Sequence, residues 1–304
     1  MKVVEFKDVY KFFGNTVALD GVSFSMPQGL SLLLGSNGSG KSTAINIMAG
    51  LIRQDRGYVK VLGEDPRDVN REGRRVGFLI EKYWFYDFLT GYDHLMLAAK
   101  ILGLSEPEIH VKKVLKVVQL SEYAHKAVGT YSKGTLQKLA IAHALLGDPE
   151  LIVLDEPFAN LDVETSASLM NLINELVREG RSVLVSTHVL SHFKELRAGH
   201  AVLLHKGKVM CEVELGNIMR VLEKTVVVRG EPLEAIYRAL KLAGFRCFTV
   251  EDKVLVKVSH HEELQEIIKA LKGIKVVDVR SGVLEIEDLL NLLVDEDEIN
   301  SRGS

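Results

Sequence analysis

The sequence of 304 residues predicts an α/β fold, a mostly parallel sheet with helices on its faces, followed by a smaller α+β domain. Continuous apolar runs such as Leu151–Leu154 alternate with amphipathic helical segments, which is the pattern of buried parallel strands. A glycine-rich turn at residues 35–40 joins one such run to a helix. After about Leu222 the order of the predicted elements changes. The length also favours two domains.

The first predicted element is an antiparallel β-layer over residues 1–25, because apolar residues alternate there in strand fashion. A strand at 75–80 and a mainly helical stretch at 91–125 follow. The next helix runs from Ser132, a suitable N-cap, to Leu146 before the stop signal Gly147-Asp148-Pro149. The apolar runs and turns after it predict strands at 151–154, 183–186, 201–204 and 208–210, and a helix capped by Asp162.

The carboxy-terminal region reads as strand, helix, two strands, helix and strand, which is the ferredoxin-like βαββαβ order. We expect a nucleotide-binding domain at 1–222 with a helical subdomain at about 82–148, and the small domain at 223–294. A short helix around 287–293 closes the small domain. The acidic tail at 295–304 is expected to be disordered.

Composition excludes several classes of protein. A net charge of −3 gives no overall positive field, so no nucleic-acid partner is expected. Two cysteines, Cys211 and Cys247, argue against a disulfide scaffold or a zinc site and favour a reduced, cytosolic setting. The amino terminus has no signal-peptide pattern, and no apolar stretch is long enough to cross a bilayer. A membrane role would therefore require another chain.

The glycine-rich turn fits the pattern G-x-x-x-x-G-K-[ST], which binds phosphate when it lies between a strand and a helix. Its backbone amides and the positive end of the helix attract an oxyanion. We expect the Lys41 ammonium to reach the β- and γ-phosphates and the Ser42 hydroxyl to ligate Mg²⁺. A chance turn is the alternative. The predicted nucleotide-contacting residues of this segment are Gly35, Ser36, Asn37, Gly38, Ser39, Gly40, Lys41, Ser42 and Thr43.

Three polar residues follow two other predicted strands. Asp155 ends one strand and is placed to hold the Mg²⁺ hydration shell, while Glu156 orients or deprotonates the attacking water. His188 follows the next strand and would contact the γ-phosphate region and hold that water in place. The alternatives are a surface acidic pair and a bystander histidine.

Ser132 and Gly134 mark a second helix start able to bind an anion. Two subunits arranged head to tail would bring this helix start of one subunit onto the nucleotide of the other. A simple N-cap explains Ser132 equally well, but it leaves Gly134 unexplained at a cost of about 1 kcal/mol.

Together these residues resemble the ATP-binding cassette (ABC) ATPases, over residues 1 to about 215. The resemblance implies that residues 35–42 are the Walker A loop, 151–156 the Walker B strand with the catalytic glutamate, 131–137 the signature motif, 159–162 the D-loop and His188 the switch histidine. It also implies that Phe13 stacks on adenine, although Phe12 competes for this role and a core position for Phe13 is the alternative.

Two motifs depart from the family pattern. The signature reads Tyr-Ser-Lys-Gly-Thr instead of Leu-Ser-Gly-Gly-Gln, so Lys133 adds a positive charge beside the retained Ser132 and Gly134. Glu81 stands where a glutamine is usual, and a carboxylate there is expected to reach a Mg²⁺-bound water.

The aromatic segment 77–90 is similar to that of the bacitracin-resistance and drug-export branch of the family, in which a permease docks nearby. Its aromatic residues suit either an interface or the core of the helical subdomain. The small domain is similar to the carboxy-terminal extension of such exporter subunits.

The resemblance implies a MgATP-hydrolysing subunit of an exporter. It would work as a homodimer, or paired with a similar subunit, at the inner face of the cell membrane through a separate permease. The alternatives are a soluble ABC ATPase acting on DNA or the ribosome, an importer subunit, and a regulatory module in which the small domain senses a ligand.

Overall fold

The computed structural model describes residues 2–69, 74–80, 84–159, 161–190, 193, 199–260, 263–281, 288, 289 and 292. The chain divides into two compact units, one of residues 1–188 and 199–212 and the other of 189–198 and 213–304. In the part that is described, no helix combines the length and the apolar character needed to span a membrane.

The predicted elements of the first unit are present in the predicted order, and the strand Arg56–Val61 and the short helix Pro66–Val69 were not predicted. In chain order they are β1 Lys2–Phe13, β2 Thr16–Pro27, β3 Leu30–Leu34, α1 Lys41–Met48, β4 Arg56–Val61, α2 Pro66–Val69, β5 Val76–Leu79, α3 Gly91–Ile101, α4 Pro107–Val117, a 3₁₀ turn Val128–Thr130, α5 Lys133–Leu145, β6 Leu151–Asp155, α6 Val163–Arg178, β7 Ser182–Thr187, β8 His200–His205 and β9 Lys208–Glu214, which continues into the second unit.

The central sheet has the strand order β5-β6-β7-β3-β8-β9, and the pairs from β5 through β8 are parallel. All five residues of β3 and of β6 are buried, as continuous apolar strands covered on both faces require. Because parallel strands end at one edge, the loops after β3, β6 and β7 lie side by side.

The predicted antiparallel layer is present as the sheet β2-β1-β4. Its first two strands are longer than the alternation indicated, because register shifts after Phe6 and near Lys11 let pairing continue through a polar stretch.

Three helices begin at side-chain caps. Thr90 and Asp93 form a capping box at α3, and the side chains of Ser132 and Asp162 cap α5 and α6 by accepting backbone N–H bonds from Thr135 and Thr165. The predicted caps at Ser132 and Asp162 are therefore confirmed.

The second unit contains α7 Leu215–Glu223, β10 Thr225–Glu231, α8 Leu233–Leu242, β11 Arg246–Val250, β12 Lys253–Lys257, α9 Glu263–Ala270 and β13 Lys275–Ser281. Its strand order is β11-β12-β10-β13, and every pair is antiparallel. This arrangement confirms the ferredoxin-like prediction. Of the helix expected at 287–293, the described residues Asp288, Leu289 and Leu292 are helical and buried. The tail at 295–304 lies outside the described residues.

Candidate active site

The glycine-rich loop connects β3 to α1. Gly40 has φ of 108°, in the left-handed region, and a Cβ there would lie 2.8 Å from the carbonyl oxygen of Ala18. A Cβ on Gly35 would lie 2.5 Å from the carbonyl oxygen of Leu204. Both positions therefore require glycine, which explains the motif by backbone packing as well as by ligand approach. The amides at the start of α1 face a site suited to an anion.

Lys41, the first residue of α1, is buried, with 6% of its side chain exposed. Its Nζ donates to the carbonyl oxygens of Gly35 at 2.7 Å and Ser36 at 3.2 Å. The same Nζ lies 3.4 Å from Glu156 Oε1. The cation of the loop and the carboxylate after β6 therefore meet at one place.

The two carboxylates at the end of β6 are held by the neighbouring strand β7. Asp155 is buried, and the Ser186 hydroxyl donates to its Oδ1. The Glu156 amide donates to Ser186 Oγ at 3.0 Å. Glu156 has φ of 46°, an uncommon conformation for a residue with a side chain, and such strain is typical of functional sites.

His188 lies just beyond β7 and is brought to Glu156, with 3.0 Å between His188 Nδ1 and Glu156 Oε1. The imidazole is about half exposed, so a ligand in solution can reach it. Lys41, Glu156 and His188 form one cluster at the edge of the sheet.

The donor set for a metal consists of oxygen atoms, which suits Mg²⁺. Ser42 is exposed at the start of α1, and Asp155 lies at the end of β6. Glu81, the third predicted ligand, lies outside the described residues.

At the predicted second anion site, the start of α5, Ser132 caps its own helix. Ser132 Oγ lies 2.8 Å from Thr135 Oγ1 and accepts the Thr135 amide at 3.2 Å. A Cβ on Gly134 would lie 3.4 Å from the Thr165 side chain on α6. That distance is an ordinary van der Waals contact, so packing does not by itself require glycine at position 134. An additional role toward a nucleotide stays a prediction.

Phe13 ends β1 and is 50% exposed, so the alternative of a core aromatic is wrong. The Lys11 Nζ lies over its ring, 5.4 Å from the centroid. Phe12 stacks on Tyr10 with 6.3 Å between the ring centroids. The ring of Phe13 is therefore the more accessible of the two candidates.

The aromatic segment contains both exposed residues and a residue packed against its neighbours. Trp84, Tyr86 and Phe88 are 90%, 60% and 78% exposed. Phe85 instead packs inside the helical region, 5.1 Å from His94 and 5.5 Å from His143 between ring centroids. Residues 81–83 of the segment lie outside the described residues.

Burial, with a smaller contribution from nearby His94, lowers the pKa of His143 to about 4. The unfolded chain binds this proton near pH 6.5, whereas the folded imidazole stays neutral until about pH 4, so stability falls as pH drops through this window. We expect this group to lower the free energy of unfolding of the wild type by about 2 kcal/mol between pH 7 and pH 5. In His143→Leu this loss should vanish, measured by urea unfolding followed by circular dichroism.

The exposed His125 provides the control for this prediction. His125→Gln should keep the pH dependence of the wild type. An equal pH dependence in His143→Leu and the wild type would contradict the assignment.

Two residues that hold the site were not found from the sequence. Ser186 contacts both Asp155 and Glu156, and its signal was a polar residue inside an apolar strand. Asp55 accepts the Phe12 amide at 2.6 Å, and nothing in its local sequence indicates this contact.

The chain is similar to known proteins in both sequence and architecture. Residues 19–159 match the protein family described as ABC transporter. The chain is 33% identical over 221 residues to the bacitracin transport ATP-binding protein BcrA of Bacillus licheniformis, covering 72% of each chain. It is 29% identical over 304 residues to BcrA of Enterococcus faecalis, covering 96% of each chain.

A solved structure described as a dimeric post-hydrolysis state of the ATP-binding cassette MJ0796 bound to ADP and Pi has a TM-score of 0.62. It is 27% identical and covers 70% of this chain and 98% of its own. This likeness confirms the predicted fold class of the first unit.

Proposed function

Because this chain belongs to the ABC transporter family as an ATP-binding and ATP-hydrolysing subunit, we propose that it drives export through a separate integral-membrane permease. The observation that carries the proposal is the similarity to BcrA of Enterococcus faecalis, which extends through 96% of both chains and so includes the small domain. The permease would hold the subunit at the inner face of the cell membrane.

In the proposed reaction the loop amides and Lys41 grip the β- and γ-phosphates, and Phe13 stacks on the adenine. Glu156 accepts the proton of the attacking water, and His188 holds the carboxylate and the water in line. The 3.0 Å contact between His188 and Glu156 and the 3.4 Å approach of Lys41 support this division of roles.

The residues present fit Mg²⁺ through the Ser42 hydroxyl and the Asp155 carboxylate, and Glu81 stays a proposed third contact. When bound, the ion would neutralise charge on the phosphate oxygens. Ser186 would keep Asp155 oriented by donating to its Oδ1.

We also propose that two copies, or this chain and a similar subunit, close over ATP with Ser132 and Gly134 of each facing the nucleotide of the other. The dimeric assembly of the MJ0796 cassette supports this arrangement. Lys133, exposed beside Ser132, would add attraction for the triphosphate.

The surface proposed for the permease comprises Trp84, Tyr86 and Phe88, defined here as the aromatic patch. Exposed large aromatic residues are typical anchors of protein interfaces. These residues precede α3 in the chain, within the region proposed as the helical subdomain.

Replacing Trp84 and Phe88 by serine should reduce co-purification with the permease about tenfold and leave the basal ATPase rate within twofold. The side chains are exposed, so the fold loses little. The measurement co-expresses the chain with an integral-membrane protein encoded beside it and compares recovery in detergent. Leu242→Ser, at a residue equally 90% exposed in the other unit, is the control. Equal recovery of all three proteins would remove the aromatic patch from the interface.

Transport by the reconstituted complex tests the direction. In proteoliposomes with ATP outside, on the side of the subunit, export predicts that cargo moves into the lumen. Movement out of the lumen would instead indicate an importer. Fractionation with ribosomes or DNA and not with a permease would favour the soluble alternative.

A further inference from the structure

The end of β1 is held in an unusual way. Pairing between β1 and β4 ends at Tyr10 and Arg56, and the register between β1 and β2 shifts on either side of Lys11. Past Tyr10 the strand therefore has no regular ladder on its β4 side. Phe13 is the last residue of this segment.

Asp55, the residue just before β4, makes contacts where the ladder stops. Its amide donates to the Tyr10 carbonyl oxygen at 2.8 Å. Its Oδ2 accepts the Phe12 amide at 2.6 Å, and its Oδ1 accepts from Lys11 Nζ at 3.2 Å. One residue thus fixes three consecutive positions leading to Phe13. The Phe12 amide, followed by Lys11, holds the pKa of the Asp55 carboxyl below its usual value, so this carboxylate is charged at neutral pH.

The Lys11 ammonium links this arrangement to the ring of Phe13. It pairs with Asp55 and lies 5.4 Å from the centroid of the Phe13 ring. A cation over one face of the ring leaves the opposite face for a flat ligand. With 50% of Phe13 exposed, there is surface for such a ligand to cover.

We propose that Asp55 is a positioning residue for the adenine base of ATP, which acts by fixing the backbone of Phe12 and the ammonium of Lys11 so that the ring of Phe13 presents its open face to the base. This inference rests on the proposed stacking role of Phe13. Asp55 itself touches neither the base nor the phosphates in this role.

An ordinary surface ion pair would give a different result. Such pairs contribute little to stability, so the loss of one is expected to leave the affinities for both ligands nearly unchanged. A positioning role predicts a loss confined to ligands that carry a base. Inorganic tripolyphosphate, which has the phosphates and no adenine, separates the two cases.

The experiment measures dissociation constants of MgATP and magnesium tripolyphosphate by calorimetry for the wild type, Asp55→Ala and Asp55→Asn. For Asp55→Ala we expect MgATP to bind about fivefold more weakly. Tripolyphosphate affinity and kcat should stay within twofold, and KM should rise. Asp55→Asn keeps an acceptor for the Phe12 amide and should show a smaller loss of the same kind.

Asp65→Ala is the matched control. Asp65 is 39% exposed, as Asp55 is, and it also accepts one backbone amide and one cationic side chain, both from Arg67. It does not touch β1 in any of these bonds. We expect its affinities to equal those of the wild type.

Phe13→Ala and the double variant with Asp55→Ala distinguish the two possible failures. If Phe13→Ala weakens MgATP and Asp55→Ala adds nothing to it, the positioning role is supported. If Phe13→Ala leaves MgATP affinity unchanged, the stacking proposal fails and this inference with it. If Phe13→Ala weakens binding but both Asp55 variants match the wild type, or lose both ligands equally, the role of Asp55 alone is overturned.

Discussion

Glu156→Gln should lower the rate of ATP hydrolysis about a hundredfold while ATP still binds. Glutamine keeps the size of the side chain but cannot accept a proton from water. The substitution leaves Lys41 and the loop amides in place, so their proposed contacts with the phosphates remain. Removing the negative charge beside the γ-phosphate should also stabilise the ATP-bound dimer. A steady-state ATPase assay and light scattering with MgATP measure the two effects.

Glu150→Gln is the control, because Glu150 lies at the opposite end of β6 and pairs with Arg75 on the surface. It should behave as the wild type in both measurements. An unchanged turnover rate in Glu156→Gln would remove Glu156 from the role of base.

Lys41→Met should weaken ATP binding about a hundredfold, because charged hydrogen bonds to phosphate contribute about 3 kcal/mol together. Methionine keeps an apolar stem in the buried position. It removes the positive charge, which is the property that the variant tests. Loss of the 3.4 Å approach to Glu156 should also slow hydrolysis at saturating ATP. Calorimetry gives the dissociation constant, and the melting temperature checks that the fold persists.

Lys208→Met is the control, because it removes the charge of a lysine that lies outside the glycine-rich loop, at the start of β9. Lys208 is 62% exposed and pairs with Asp20 on the surface. Its ATP affinity should match that of the wild type. A dissociation constant for Lys41→Met within twofold of the wild type would contradict the assignment of the loop.

Local signals predicted most of the first unit. The cap at Ser132 and the apolar run before Asp155 each depend on neighbours in the chain, and both were located to within a residue or two. The helix α7 at Leu215–Glu223 was missed, because its sequence lies where the pattern changes between two predicted domains.

Long-range contacts account for what the sequence did not predict in the site. Ser186 is joined to Asp155 and Glu156 only by the parallel pairing of β7 with β6. The packing of Thr165 against Gly134 depends on two helices meeting in space. Asp55 accepts the Phe12 amide just beyond the point where the pairing of β1 with β4 ends. The periodicity of the sequence does not indicate where such pairing ends.

At Glu156 the left-handed backbone and the proposed chemistry favour different residues. Glycine would relieve about 1 kcal/mol of steric strain there, yet only a carboxylate serves the proposed chemistry. Selection for heat resistance alone would therefore push this position toward an inactive protein. Directed evolution of this subunit for higher thermal stability must therefore keep residue 156 constant and select stabilising substitutions at other positions.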